Sequence, residues 1–221
     1  MVVRGGWPGH EPVECTDSFL PFLRDNGFDV DIVEDVAVYT DAPRLAATDL
    51  VVQSWSIGEM DNTTARGLAA AVAAGTGFAG WHGGIVDAFN AIAYMQLTGG
   101  RFVYHPRGAV KHVLSVVPGQ ETHPIVEGIE AVELETEKYW VLTDQLCDVL
   151  ATVSFPADLP GDSDYGGPET PWRREVAVPA VWTRQWGSGR VFVSTVGHKA
   201  VDFEAPEIRA ITERGLLWAA R

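Results

Sequence analysis

Three of the six histidines in this chain stand near glycines or loops at the ends of predicted strands. His82 is the centre of Gly80–Gly84, which reads Gly-Trp-His-Gly-Gly, His198 follows Gly197, and His10 lies in the loop after the first predicted strand. Histidine titrates near neutral pH and its ring nitrogens bind transition metals, so these positions suit acid–base catalysis or metal ligation. For each of them, a histidine that is only hydrogen-bonded or solvent-exposed is the alternative.

The pattern around His82 is typical of a sharp turn from a strand into a helix. A small apolar run, residues 75–79, precedes the turn, and a predicted helix, Ile85–Leu97, follows it. Such a turn strains the backbone of its apex residue and requires very small residues two positions to either side. In hydrolases and amidotransferases built this way the apex is a nucleophilic serine or cysteine. Here the apex is histidine, which favours proton transfer or metal binding over acyl transfer.

Other polar and aromatic residues fall close to the same predicted strand ends. Glu137 directly follows a β-rich run, Asp202 comes four residues after His198, and Glu11 adjoins His10. Apolar rings beside a few polar groups suit a ligand of carbohydrate size, with core packing as the alternative for each tryptophan. The candidates for catalysis are His82, His198 and Glu137, and those for substrate binding are Trp7, His10, Glu11, Trp55, Trp81, Tyr139, Trp140 and Asp202. His105, His112 and His123 are expected in surface, packing or turn positions.

Composition narrows the class of protein. The 221 residues are 46% hydrophobic and carry a formal charge of −14, so the long-range field repels nucleic acid and anionic membranes. No apolar run reaches the roughly 18 residues that span a bilayer, and no signal peptide is recognisable, so the cytoplasm is expected. Cys15 and Cys147 form no CxxC pair, and no P-loop or GxGxxG motif is present, so neither a cysteine zinc site nor a nucleotide cofactor is expected.

The elements that must position these residues alternate between strand and helix in the first half of the chain. This order predicts a parallel sheet with helices on both faces, whose ligands lie beyond the carboxyl ends of the strands. The second half is β-rich and predicts a mixed extension of the same sheet, closed by a helix over Pro206–Ala220. We predict one domain over residues 1–221. Pro156–Arg174, rich in proline and glycine, is expected to be an irregular loop, either a lid or a surface excursion.

Several of these segments together resemble the ThuA-like family, named for trehalose utilisation. The resemblance rests on the first loop with Trp7 and His10, the Gly80–Gly84 turn, the segment around Glu137, Val181–Arg184, and the Gly197-His198 pair. It covers essentially the whole chain.

The resemblance implies an α/β fold: a flavodoxin-like three-layer α/β/α sandwich with a mainly parallel sheet, similar to class I glutamine amidotransferases. It implies that His82 occupies the position of their nucleophilic cysteine and that His198 lies near their catalytic histidine, so glutaminase chemistry should be absent. It also implies a sugar-like small-molecule ligand, whereas the absence of a nucleic-acid or membrane partner is expected from the negative charge. Still open are a divalent metal such as zinc on His10, His82 and His198, a homo-oligomer, and a non-catalytic carbohydrate-binding or regulatory protein instead of an enzyme.

Overall fold

The computed structural model of this protein describes residues 1–106, 108–156 and 174–221. The predicted irregular loop Pro156–Arg174 lies outside the described residues, except for its two ends. Its role as a lid or as a surface excursion therefore stays a prediction.

A nine-stranded sheet crosses the described part of the chain, in the spatial order β2-β1-β3-β4-β11-β10-β9-β6-β7. A two-stranded antiparallel sheet of β5 and β8 lies beside it. The strands are β1 (Val2–Gly6), β2 (Ile32–Val33), β3 (Leu50–Ser56), β4 (Gly77–Trp81), β5 (Gly100–Tyr104), β6 (Val110–Val116), β7 (Ala131–Thr136), β8 (Trp140–Thr143), β9 (Asp148–Phe155), β10 (Val176–Trp186) and β11 (Gly189–Ser194).

The two halves of the large sheet differ in strand direction. β2, β1, β3, β4 and β11 run parallel to one another. β10, β9, β6 and β7 continue the sheet through antiparallel pairs. The predicted parallel core and its mixed extension are both confirmed. Because β4 and β11 are parallel neighbours, His82 and the loop that carries His198 emerge at the same edge of the sheet.

Helices cover both faces of the sheet and give the three-layer α/β/α sandwich. One group contains α1, α7 and a 3-10 turn at Ala200–Glu204, and a second contains α3, α4 and α6. The helices are α1 (Pro12–Asp17), α2 (Leu20–Asp25), α3 (Ala42–Ala46), α4 (Asn62–Ala73), α5 (Gly83–Val86), α6 (Ile92–Thr98) and α7 (Pro206–Ala219).

The elements near the site form for local reasons that the sequence shows. The Asp61 carboxylate accepts hydrogen bonds from the backbone N–H groups of Thr63 and Thr64 and so caps α4. The five residues of β4 are all buried, as expected of a central strand with parallel neighbours on both sides.

Some predicted elements differ from the observed ones. The predicted helix Ile85–Leu97 is two short helices, α5 and α6, interrupted at residues 87–91. The alternation of apolar and acidic residues over Phe28–Glu34 predicts a strand near a sheet edge, and this segment forms the two-residue edge strand β2. None of the described helices is both long and apolar enough to cross a membrane.

Candidate functional site

His82 lies at the apex of the turn from β4 into α5, which we call the elbow (residues 80–84). Its backbone has a φ of +48°, in the region that side-chain-bearing residues rarely adopt. Gly80 and Gly84 make this turn feasible. A Cβ on Gly80 would lie 2.5 Å from the carbonyl oxygen of Gln53, and one on Gly84 would lie 2.8 Å from Ser54 Cα. The predicted requirement for glycine two positions either side of the apex is confirmed.

Four side chains converge above the elbow: His10, His82, Glu137 and His198. We call them the His–Glu cluster. One nitrogen or carboxylate oxygen from each lies within 4.8 Å of the corresponding atom of the others. The same oxygen of Glu137, Oε2, is 3.1 Å from His82 Nε2 and 3.2 Å from His198 Nδ1. The sequence separates these residues by up to 188 positions, and the fold brings them to one point.

The orientation of His82 is fixed from behind by a main-chain group. Its Nδ1 lies 2.8 Å from the carbonyl oxygen of Thr195, at the end of β11. A carbonyl oxygen only accepts hydrogen bonds, so Nδ1 must carry the hydrogen for this bond to form. In a neutral ring, Nε2 then carries a lone pair, and this lone pair faces Glu137.

His198 is held by Asp202, four residues along the chain. Asp202 Oδ2 accepts hydrogen bonds from the backbone N–H of His198 at 2.7 Å and from the hydroxyl of Thr136 at 2.8 Å. Thr136 ends β7 and immediately precedes Glu137. Asp202 therefore ties the loop of His198 to the strand end that carries Glu137, and its contacted oxygen is engaged with protein groups.

His10 reaches the cluster from the loop after β1. Its ring is buried and lies 4.9 Å, centroid to centroid, from the ring of His82 and 5.2 Å from that of His198. Gly83 leaves it room, since a Cβ there would come within 2.3 Å of His10 Cε1. Next to it, Glu11 has a φ of +45° and accepts a hydrogen bond from the backbone N–H of Ala200, which joins the first loop to the loop of His198.

Burial and neighbouring charges set the protonation of the cluster. Burial lowers the pKa of His10 to about 3, and the nearby His82 and His198 rings add to this effect. Burial also lowers the pKa of His82, against opposing contacts with Glu137 and the Thr195 carbonyl. Burial alone would raise the pKa of Glu137, but its contacts with His198 and His82 outweigh it and hold that pKa well below its usual range. At neutral pH, His10 and His82 are thus neutral rings beside an ionised carboxylate.

Two aromatic residues and a fourth histidine border the cluster. Tyr139 is buried and stacks on His82 with ring centroids 3.9 Å apart, and its hydroxyl is 3.5 Å from His10 Nε2. Trp7 packs edge-on against His10 at 4.7 Å and is 45% exposed, so part of its surface is open to a ligand. His105, which we expected in a surface or packing position, has its Nε2 4.0 Å from the other oxygen of Glu137. The His-Pro dipeptide after the elbow helices was its only sequence signal.

The other tryptophans of the predicted binding set lie in different surroundings. Trp81 is 1% exposed and packs against Phe19 and Phe203, so the expectation that it stacks on a ligand is not supported by its position. It precedes His82 in the strand, and neighbouring strand residues face opposite sides of a sheet. Trp55 is half-buried and packs against Gly5 and Gly58. Trp140 is half-buried and packs against Phe155.

The chain resembles known proteins over nearly its full length. The ThuA family model, described as trehalose utilisation, matches residues 1–219. No curated protein matches the sequence significantly.

The similar solved structures share the fold at low sequence identity. A ThuA-like protein of Bacteroides uniformis ATCC 8492 is 17% identical, with a TM-score of 0.71 over 99% of this chain and 86% of its own. A ThuA-like protein of Parabacteroides merdae ATCC 43184 is 18% identical, with a TM-score of 0.71, and the match covers 99% of this chain and 88% of that protein. The cytoplasmic protein STM1381 of Salmonella typhimurium LT2 is 15% identical, with a TM-score of 0.58, and the match covers 93% of this chain and 87% of that protein.

Proposed function

This chain belongs to the ThuA family, described as trehalose utilisation, and from that premise we propose that it is a cytoplasmic enzyme acting on a disaccharide or a keto-sugar derivative. Family membership supports a role in sugar utilisation. The reaction, the substrate and the assignment of catalytic residues are our proposal. The observation that carries it is the convergence of three histidines, each at the carboxyl end of a parallel strand, with Glu137.

The proposed chemistry is proton transfer at a C–H or O–H group of the sugar, by these side chains alone or with a metal ion. Glu137 is ionised and His198 is partly accessible, with side chains 13% and 16% exposed, so a substrate can reach them from solvent. A neutral histidine of the cluster can accept the proton as general base, and the ionised Glu137 stabilises the imidazolium that forms. Each well-placed acid or base contributes roughly 10²–10⁴-fold to a rate. The exposed face of Trp7 offers a surface on which a sugar ring can pack.

Glutaminase chemistry does not fit the proposed site. The apex of the elbow is His82, and the two cysteines are placed elsewhere, Cys15 in α1 and Cys147 beside Arg184. Burial raises the pKa of the Cys15 thiol to about 12 and that of the Cys147 thiol to about 11. Both thiols are protonated at neutral pH and therefore poor nucleophiles.

Glu137→Gln tests the proposal with the smallest change in shape. Trehalose, other disaccharides and their 3-keto forms are incubated with the protein and the products separated by chromatography. We expect turnover of at least one of them, reduced about 100-fold or more in the variant, because a neutral glutamine cannot stabilise the imidazolium that forms when a neighbouring histidine accepts the proton. His123→Ala, which removes a histidine outside the cluster, should keep full activity. Unchanged turnover in Glu137→Gln would remove Glu137 from the mechanism.

The second candidate function is a non-catalytic carbohydrate-binding or regulatory protein. It is favoured by the low accessibility of the cluster, where His10 is only 6% exposed and His82 only 1%. Calorimetry separates the two functions. Saturable sugar binding without product after prolonged incubation would support a binding protein and contradict the enzyme.

A further inference from the structure

The contact between His82 and Glu137 places two hydrogen-bond acceptors face to face, so it requires a cation between them. The Nδ1 hydrogen of His82 is directed to the Thr195 carbonyl, which leaves the Nε2 lone pair 3.1 Å from a carboxylate oxygen that also carries only lone pairs. Two acceptors at this separation repel each other. Either a second proton on the ring or a metal ion between the two atoms removes the repulsion.

Two further nitrogens of the cluster lack hydrogen-bond partners. His10 Nδ1 and His198 Nδ1 are both buried and unpaired among the described residues. His198 Nδ1 lies 3.2 Å from Glu137 Oε2, a close contact that is not a hydrogen bond. One extra proton on His82 would satisfy one contact and leave these two nitrogens unpaired. A metal ion can use a nitrogen from each ring.

The donor set and its spacing match a divalent transition-metal ion. Three imidazoles and a carboxylate suit zinc and its neighbours in the first transition row, whereas magnesium and calcium prefer oxygen ligands. Ligands about 2.0–2.1 Å from a tetrahedral zinc ion are roughly 3.4 Å from one another. The two contacts of Glu137 Oε2, at 3.1 and 3.2 Å, are close to this value. The widest spacing, 4.8 Å, requires a side-chain movement of about 1 Å.

Groups behind the ligands hold them in place in the way that metal sites require. A ligating histidine normally donates its other ring N–H to a carbonyl or carboxylate, which His82 does to Thr195. Asp202 fixes the backbone of His198, and the missing side chain of Gly83 leaves space for the ring of His10. The cluster is therefore organised by contacts that do not use its ligand atoms.

We propose that His10, His82, His198 and Glu137 bind one divalent transition-metal ion of the zinc class. This deepens the proposed function by naming the metal-assisted form of the chemistry. Metal binding is measured without any sugar, so the two proposals fail separately. A protein that binds the metal but converts no sugar contradicts the proposed function alone, and one that converts sugar but binds no zinc contradicts this inference alone.

The test uses the full chain without a histidine tag, stripped with a chelator and titrated with zinc chloride in a calorimeter. We expect one equivalent of zinc to bind, and magnesium chloride not to compete. Glu137→Gln and His82→Ala should each weaken binding at least about tenfold, the lower end of the loss seen even for residues that only support ligands. His112→Ala and His123→Ala, which alter histidines outside the cluster, should bind zinc like the unmodified protein.

Circular dichroism and thermal unfolding show whether each variant is folded. Glu137→Gln nearly preserves the shape of the side chain, so it keeps the test decisive if His82→Ala fails to fold. Absence of stoichiometric zinc binding by the unmodified protein would overturn the proposal. Zinc binding of unchanged affinity in folded Glu137→Gln would overturn it as well, because the ion would then be held elsewhere.

Discussion

At the scale of single residues, His82 combines a strained backbone with a side chain anchored at one ring nitrogen. Its φ of +48° and ψ of −145° lie in a region adopted almost only by glycine. The pattern of glycines around it predicted this strain, because only a sharp strand-to-helix turn needs glycine at both flanking positions. Nothing in the sequence indicated that the Thr195 carbonyl fixes the ring, since the contact joins residues 113 positions apart.

The strain at His82 can be measured by comparing two variants that both lack the imidazole. His82→Ala keeps a Cβ in the unfavourable region, whereas His82→Gly removes it. We expect the glycine variant to be more stable by about 1 kcal/mol, the strain of 1–3 kcal/mol less the extra entropy that glycine loses on folding. Urea denaturation of both metal-free variants measures the difference. A more stable alanine variant would show that the elbow stores no strain at this residue.

The aromatic candidates show where reasoning from single residues fails. Trp7 and Tyr139 border the His–Glu cluster, whereas Trp81 packs into the core on Phe19 and Phe203. All three lie close in sequence to a residue of the cluster, so nearness along the chain did not separate them. The direction of each side chain decides, and it depends on the alternation of strand residues and on backbone turns that composition does not reveal.

At the scale of elements, the cluster is assembled from four separate strand ends. The loop after β1 carries His10, the elbow after β4 carries His82, the segment after β7 carries Glu137, and the loop after β11 carries His198. The rule that ligands lie beyond the carboxyl ends of parallel strands predicted that three of these loops meet. Glu137 follows an antiparallel strand at the far edge of the sheet, to which that rule does not apply.

Asp202 is the positioning residue that connects two of these elements. Asp202→Ala removes hydrogen bonds to the His198 backbone and to Thr136, so the loop of His198 can shift away from Glu137. We expect zinc affinity to fall about 10–100-fold, as for other residues that support metal ligands, while the fold persists. Asp35→Ala is the control, because Asp35 also caps a 3-10 turn by a bond to Ala37 but has no role in the cluster. Equal zinc affinity in both variants would contradict the positioning role.

Gln53 of β3 supports the elbow from within the core. Its side-chain amide donates to the Gly84 carbonyl at 2.8 Å and to the Tyr94 hydroxyl, and its oxygen accepts from Tyr39 at 2.9 Å. Both N–H donors and the oxygen of this buried amide are thus hydrogen-bonded. The apolar run over Asp49–Ser54 predicts a strand buried on both faces, but no pattern predicted a glutamine network inside it.

Replacing Gln53 by leucine leaves the Gly84 carbonyl and the Tyr39 hydroxyl buried without this partner. Each unsatisfied buried group costs about 1–3 kcal/mol, so for these two groups we expect the free energy of unfolding to fall by roughly 2–6 kcal/mol. Chemical denaturation measures the loss. Gln120→Leu is the matched control, since the Gln120 amide bonds Asp148 at an exposed position and should change stability little. Similar losses in both variants would contradict the importance of the network.

At the scale of the whole molecule, the sheet explains both the success and the limits of prediction. Strand and helix order predicted the α/β sandwich, because parallel strands with short connections admit few topologies. The small sheet of β5 and β8 was not predicted, since its strands lie 36 residues apart and have no distinctive pattern. The same fold buries ionisable groups at the centre of the cluster, and this couples the site to the stability of the molecule.

That coupling should make the metal-free protein lose stability in mild acid. The pKa of His10 is about 3 in the folded state and near 6.5 when unfolded, so below pH 6.5 the unfolded chain binds a proton that the folded chain does not. The contribution of His10 to the free energy of unfolding is fully present above about pH 6.5. It falls by up to about 1.4 kcal/mol per pH unit as the pH drops toward 3. The buried and neutral His82 ring acts in the same direction.

His10→Asn isolates the contribution of one ring to this effect. Between about pH 7.5 and 5.5, we expect the unmodified protein to lose about 1 kcal/mol more free energy of unfolding than the variant, because the asparagine does not titrate. Urea denaturation of both proteins at the two pH values, in the presence of a chelator, gives the change in the free energy of unfolding for each. Subtracting one change from the other removes the contribution of titrating groups that both proteins share. Equal losses would mean that His10 is protonated as readily in the folded protein as in the unfolded chain, which would contradict its burial in the cluster as a neutral ring.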